Sequence, residues 1–233
     1  MKIYTFWCKN PNNGPCTLKI IFKKKLLSCN SMFEGINNII EIDLSNFDSS
    51  KIRSCKNMFY GCSSVKKITF GKLFFSYESE KDFSGFFCNC ENLVDLDISN
   101  LNTKNAISFK SMFGGCSNLK NIDVSKFDSS KCKSIYGMFS GCNNIKEIDM
   151  INWDMSYLQY DKESPIDYLF SYCEKLKKIK ISGNINKGVA NKIHEGNYFQ
   201  GLPENGDLIT SKTVPCNIPL DGYLPQNWTR NKE

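Results

Sequence analysis

The sequence predicts an α/β repeat solenoid, with one short parallel strand per repeat on one side and short helical or 3₁₀ turns on the other. Two observations predict it: a Met-Phe pair recurs at nearly fixed spacing, and the residues between successive pairs follow one pattern. Steps of 26 to 31 residues separate the pair or its equivalent at Met32-Phe33, Met58-Phe59, Phe86-Phe87, Met112-Phe113, Met138-Phe139, Leu169-Phe170 and Tyr198-Phe199. A period in this range is typical of repeats that each pack only on their neighbours.

The strand of each repeat is predicted by an apolar triplet with LxxLxL spacing. Apolar and polar residues alternate over its last three positions, as expected for a strand with one buried face. The triplets are Ile39-Ile42-Leu44, Val65-Ile68-Phe70, Leu93-Leu96-Ile98, Leu119-Ile122-Val124, Ile145-Ile148-Met150 and Leu176-Ile179-Ile181.

A polar turn follows each strand, as in the segments SNFDSSK and SNLNTKN. Its Asp or Asn suits a helix N-cap or an Asx-turn, because the side chain can accept a bond from nearby backbone N–H groups. These residues are Asp48, Asn102, Asp128 and Asp154. A short helical or 3₁₀ turn is then expected to lead to the next Met-Phe pair.

The chain has twelve cysteines, and the repeat register places most of them in the core. Free cysteine behaves as a small hydrophobic residue, so we expect thiols in these apolar columns to have no polar partner. The core set is Cys29, Cys55, Cys62, Cys90, Cys116, Cys132, Cys142 and Cys173. Cys8, Cys16, Cys88 and Cys216 lie outside the columns, and whether they form disulfides, such as Cys8–Cys16, stays open.

The polar residues between the apolar ones of each strand are the candidate binding site. Carboxylates dominate these positions, which predicts an acidic strip on the exposed face of the sheet. Like charges stacked about 5 Å apart repel one another, so a purely structural sheet would do better with mixed charge. The alternative interpretation is that the Asp residues only bond to turns and water. The candidate residues are Glu41, Asp43, Asp95, Asp97, Asn121, Asp123, Glu147 and Asp149.

These repeats resemble the BspA-like leucine-rich repeat family, in the branch with repeats of about 26 residues. The resemblance covers about residues 29–181 and is carried by segments such as FYGCSSVKKITF, MFGGCSNLKNIDVSKFDSS and MFSGCNNIKEIDM. It implies a leucine-rich-repeat fold and a surface or secreted protein of bacteria or protists that binds a protein or a glycan.

Three regions follow from the repeat boundaries: an N-terminal cap over 1–31, a solenoid of about six repeats over 32–199, and a C-terminal cap or tail over 200–233. Residues 1–31 hold six Lys and no acidic residue, so the remaining 24 Lys and Arg balance the 24 Asp and Glu. Without a basic stripe across the main surface, nucleic acid is not an expected partner. No apolar run approaches a membrane helix, and the segment MKIYTFWCKNPNNGPC does not predict a secretory signal.

Catalytic motifs are absent from the sequence. Its single histidine, His194, lies in an irregular segment, and Cys88 and Cys90 lack the spacing and second pair of a zinc site. We therefore expect a monomeric recognition module with no catalytic residue, cofactor or metal. An intracellular regulatory scaffold using the same face is the first alternative, and an enzyme is the second.

Overall fold

A computed structural model of the protein describes residues 26–71, 75, 79–161, 163–190, 198–211 and 224–232. These residues form a coil of stacked turns whose strands pair in parallel, which confirms the predicted solenoid. Most of the predicted N-terminal cap, His194, Cys8, Cys16 and Cys216 lie outside the described residues.

The main sheet side follows the LxxLxL triplets. Strands β1 (Glu41–Leu44) and β2 (Lys67–Phe70) pair in parallel, a bridge joins Asp95 to Asn121, and a four-stranded sheet continues the side. That sheet consists, in order, of β5 (Glu147–Met150), β6 (Lys178–Ile181), β7 (Asn205–Thr210) and β8 (Asn227–Lys232). The last two strands continue the stack into the region where the sequence predicts a cap or tail.

A second side of the coil holds shorter parallel pairings. Strand β3 (Lys81–Asp82) pairs with β4 (Ala106–Ser108), and bridges join Ser28 to Ser54 and Ser108 to Ser134. The described residues contain one helix, α1 (Lys187–Ala190).

The Met-Phe segments are hydrogen-bonded turns, so the helical or 3₁₀ turns expected there are not confirmed. In the second repeat, the N–H groups of Met58 and Tyr60 bond three residues back within the segment. The intervening N–H groups of Asn57, Phe59 and Gly61 bond to the next repeat instead, at 2.9, 2.9 and 2.7 Å. Asn57 and Gly61 have left-handed backbones, with φ of 56° and 70°. In a helix, successive N–H groups point the same way, so the alternating directions exclude a helix here. The bonds to the next repeat form a second hydrogen-bond ladder along the coil.

The Phe of each Met-Phe pair builds a continuous ring stack through the core. Seven rings stack with centroids 5.4 to 6.2 Å apart and planes within 6° to 12° of parallel. They are Phe33, Phe59, Phe87, Phe113, Phe139, Phe170 and Phe199. Offset ring stacking stabilises the core beyond the burial of apolar area, so the stack ties each turn to the next.

The eight cysteines assigned to the core are buried and form no disulfide, which confirms their placement. The expectation that their thiols lack a polar partner is wrong. Each thiol of the main column donates to the backbone carbonyl of the stacked Phe one turn earlier, at 2.8 to 3.2 Å. The donors are Cys62, Cys90, Cys116, Cys142 and Cys173. Burial raises the pKa of the Cys116 and Cys142 thiols, so they stay protonated donors.

The polar turn after each strand is closed by its Asp or Asn, as an Asx-turn requires. The side-chain oxygens of Asp48, Asn102, Asp128 and Asp154 each accept the N–H two residues on, at 2.9 to 3.1 Å. The next residue places a hydroxyl inside the coil, where it accepts an N–H from the following repeat at 2.8 to 2.9 Å. These hydroxyls belong to Ser49, Thr103 and Ser129.

Candidate recognition face

The structure places all eight candidate residues on the main sheet side. Seven side chains are exposed and Asp149 is half-buried, whereas the apolar residues between them point inward. Since parallel strands lie about 4.8 Å apart, the polar residues form two columns that run along the coil.

The first column has mixed charge, because Lys67 and Lys178 lie in it beside carboxylates. It contains Glu41, Asp95, Asn121 and Glu147 of the candidate set. Glu41 lies beside Lys67 on the neighbouring strand, and Glu147 lies beside Lys178. The Lys178 Nζ is 2.9 Å from Glu147 Oε1, an exposed ion pair. Such surface pairs add little stability, but this one removes net charge from the column.

The second column is mainly acidic and contains the other four candidates. Thr69 lies beside Asp43, and the pairing of Asp95 with Asn121 makes Asp97 and Asp123 neighbours two residues further along. Asp149 ends the acidic run, because its Oδ2 is 3.4 Å from Lys180 Nζ on the next strand. We call Asp43, Asp97, Asp123 and Asp149 the carboxylate column.

Every member of the carboxylate column also closes a turn. The Oδ1 atoms of Asp43, Asp97, Asp123 and Asp149 each accept the N–H two residues on, at 2.8 to 3.1 Å. Bonds from the hydroxyl and N–H of Ser99 lower the pKa of Asp97, and those from Ser125 lower the pKa of Asp123. The turn-bonding interpretation is therefore correct for Oδ1 in all four residues.

A row of lysines borders the mixed column and was missed by the sequence reasoning. The backbone N–H of Lys66 bonds to Ile40, that of Lys120 to Val94, and that of Lys177 to Lys146, at 2.7 to 3.0 Å. These bonds make the residues neighbours across successive turns, with their lysine side chains exposed. The sequence signal was the Lys that follows the first apolar residue of four triplets. Across the face, charge therefore changes from basic through mixed to acidic.

Two aromatic residues in the longer steps between repeats, Phe75 and Tyr157, have different surroundings. The aromatic residue Phe75, within the first long step between repeats, is fully buried, whereas Tyr157 in the second long step is 45% exposed.

Among the described side chains, no group of three or more His, Cys, Asp or Glu could hold a metal ion. Within the same residues, no helix has the length and hydropathy needed to cross a membrane.

The fold and this face define a parallel-stranded solenoid repeat protein with a charged, exposed sheet. The family model described as "Mycoplasma protein of unknown function, DUF285" matches residues 23–72 and 74–188. These ranges cover more than half of the 233 residues, so the chain belongs to the DUF285 family. Comparison with curated proteins found no match.

Proposed function

We propose that the chain is a BspA-like leucine-rich-repeat module that binds another macromolecule through the exposed face of its sheet and performs no chemistry. The carboxylate column is the observation that supports this most directly. Its turn bonds hold four carboxylates in place, and because those bonds use Oδ1, the second oxygens of Asp43, Asp97 and Asp123 can serve a partner, whereas that of Asp149 faces Lys180. Charged groups held in place before binding lose little conformational entropy when a partner arrives.

The partner of this face is a protein with a basic patch. Complementary charge across an interface speeds encounter and selects the partner. Because exposed charges are screened beyond about 8–10 Å at physiological ionic strength, association should weaken as salt rises. The lysine row on the opposite border repels the basic patch, so it orients the partner over the carboxylate column.

Two matched triple variants test the proposal. The test variant carries Asp43→Asn, Asp97→Asn and Asp123→Asn, in which each amide oxygen can still accept the turn bond. The control variant carries Glu41→Gln, Asp95→Asn and Glu147→Gln, which removes three charges from the mixed column of the same sheet.

The assay is titration of each variant with a protein captured from the source organism on the immobilised wild-type chain. We expect the test variant to bind that protein at least tenfold more weakly, about 1.4 kcal/mol, and the control variant to stay within about threefold. Equal losses in both would show that only net charge matters. An unchanged affinity of the test variant would show that the carboxylates serve the turns alone.

An intracellular regulatory scaffold using the same face is the second candidate. The nine free cysteines among the described residues favour it, because disulfides form and persist in exported proteins and are rare in the cytosol. Glycan on Asn227, the acceptor of the sequon Asn227-Trp228-Thr229, in protein isolated from its source would instead favour export. Turnover of any substrate in hydrolase and redox panels would contradict both proposals.

A further inference from the structure

A groove of about 450 Å³ opens on the Met-Phe turn side of the coil. Its floor is backbone, because Gly114, Gly115 and Gly137 lie in neighbouring turns and have no side chain to fill it. At the positions of Gly114 and Gly137, most other repeats carry larger side chains. At the position of Gly114, for example, the earlier repeats carry Glu34, Tyr60 and Cys88. The volume lies within the range of about 300–1,000 Å³ that is usual for small-ligand sites.

One wall of the groove is aromatic and braced. The rings of Tyr136 and Tyr168 lie 5.5 Å apart at 60° to each other. Lys110 places its Nζ 4.6 Å from the centre of the Tyr136 ring and forms a 2.7 Å ion pair with Glu163. The rings are therefore positioned before any ligand arrives, and the nearby lysine charge is already paired.

The floor cannot bind an extended peptide by strand addition. The N–H groups of Asn89, Ser111, Gly115 and Gly137 all donate to the next repeat, at 2.7 to 2.8 Å. Backbone hydrogen bonds are what give affinity to a peptide added to a sheet edge. A ligand here must use ring faces and side-chain groups instead.

The lining carries no formal charge at neutral pH. Burial raises the pKa of the Cys88 thiol to about 11, so it stays protonated. A charged ligand would lose its hydration without gaining a counter-charge, and a purely apolar ligand would cover the hydroxyls of Ser111 and Ser140 without bonding them. Ring faces beside hydroxyl and amide groups match a molecule with C–H faces and hydroxyl edges.

We infer that this groove binds a neutral saccharide, with Tyr136 and Tyr168 packing against the sugar ring and Ser111, Ser140 and Asn89 bonding its hydroxyls. The site lies on a different side of the coil from the carboxylate column. It does not rest on the proposed function, and either can fail without the other.

Cys88 provides a built-in reporter, because it is the one described cysteine that is not buried and it lines the groove. Because iodoacetamide reacts with the thiolate, the wild-type chain is alkylated at about pH 9, where more of the Cys88 thiol ionises. The reaction is run alone or with lactose, maltotriose, cellotriose or N,N′-diacetylchitobiose at about 10 mM. Peptide mapping by mass spectrometry separates Cys88 from the other cysteines. We expect at least one saccharide to slow alkylation of Cys88 about fivefold or more and to bind in calorimetry.

Two tyrosine variants localise the binding. Tyr136→Ala should weaken binding of that saccharide at least tenfold, about 1.4 kcal/mol, whereas Tyr157→Ala, an exposed tyrosine outside the groove, should leave it within about twofold. The protection experiment needs no variant, so misfolding of Tyr136→Ala would not remove the test. Absence of protection by all four saccharides overturns the inference, as does equal binding by Tyr136→Ala and the wild type.

Discussion

Replacing Cys116 tests the hydrogen-bonded thiol ladder at its centre. The side chain is fully buried, and its Sγ donates to the Phe87 carbonyl at 3.1 Å. That carbonyl also accepts the N–H of Cys90 at 3.1 Å, so it keeps one partner when the thiol is removed. If the column offered no acceptor, Cys116→Ser would lower the free energy of unfolding more than Cys116→Ala, because it would bury an unpaired hydroxyl. The structure predicts a different order.

The magnitudes follow from the groups that change. Cys116→Ala removes one buried heavy atom, about 0.8 kcal/mol by analogy with a methylene, and leaves a small cavity that adds a similar amount. We therefore expect a loss of about 1–2 kcal/mol in the free energy of unfolding. Cys116→Ser keeps a donor facing the carbonyl, and a hydrogen bond contributes about 0.5–1.5 kcal/mol net. Ser should thus cost no more than Ala.

Urea unfolding of the wild type and both variants, under reducing conditions, measures the difference. Cys88→Ser is the control, because Cys88 is only partly buried, and we expect it to change stability by less than about 0.5 kcal/mol. If Cys116→Ser were less stable than Cys116→Ala by more than about 1 kcal/mol, the carbonyl would not accept from this position. The ladder would then be an apolar column, as the sequence suggested.

Two further predictions concern the backbone and the carboxylates. Tyr172 has a left-handed φ of 60°, at the position where the previous repeat has Gly141 with a φ of 75°. Tyr172→Gly should therefore raise stability by about 1 kcal/mol, and Gly141→Ala should lower it by about 1–2 kcal/mol. Thermal melts that ranked the two variants the other way would show that the backbone of Tyr172 is not strained. The pKa values of Asp97 and Asp123 are lowered in the folded state, so their stabilising effect is present above the unfolded value of about 3.9 and is lost as pH falls through the lowered values. The Asp97→Asn, Asp123→Asn variant does not titrate there, so its urea midpoint should fall less steeply than that of the wild type below about pH 4. Parallel pH profiles would mean that the serine bonds do not favour the charged form.

Repetition explains why much of the fold was predictable from the sequence. A position that recurs in every repeat must face the same way in each turn, so Phe113 and Cys116 could be assigned to the core from spacing alone. The Asx-turn at Asp128 was equally predictable, because its bond is local. Even the pairing of Glu147 with Lys178 was within reach, since the alignment of repeats already placed them in one column.

The remaining features depend on which neighbour each polar group chooses. The N–H of Phe59 bonds to Phe86 in the next repeat, which gives a ladder; a bond within its own turn would have given a helix. The local sequence does not distinguish these two partners. The sequence places Ser129 in a polar turn, yet its hydroxyl accepts the N–H of Asp154 inside the coil. The groove needs Gly114 and Gly137 to meet across adjacent turns, which the spacing of glycines along the chain does not reveal.

The ring stack and the thiol ladder also bear on how such a chain can change in length. Each ring contact joins equivalent positions of adjacent repeats, and each thiol bond joins the Cys position of one repeat to the Phe position of the repeat before. Duplication or loss of one unit, such as the 26 residues from Phe113 to Met138, therefore preserves every column. The longer steps after Met58 and Met138 do not interrupt the ring stack from Phe59 to Phe87 or from Phe139 to Phe170. Duplication of whole repeats can therefore lengthen the charged face or shift the groove along the coil. Substitution of a few exposed residues within one repeat changes only the surface of that repeat.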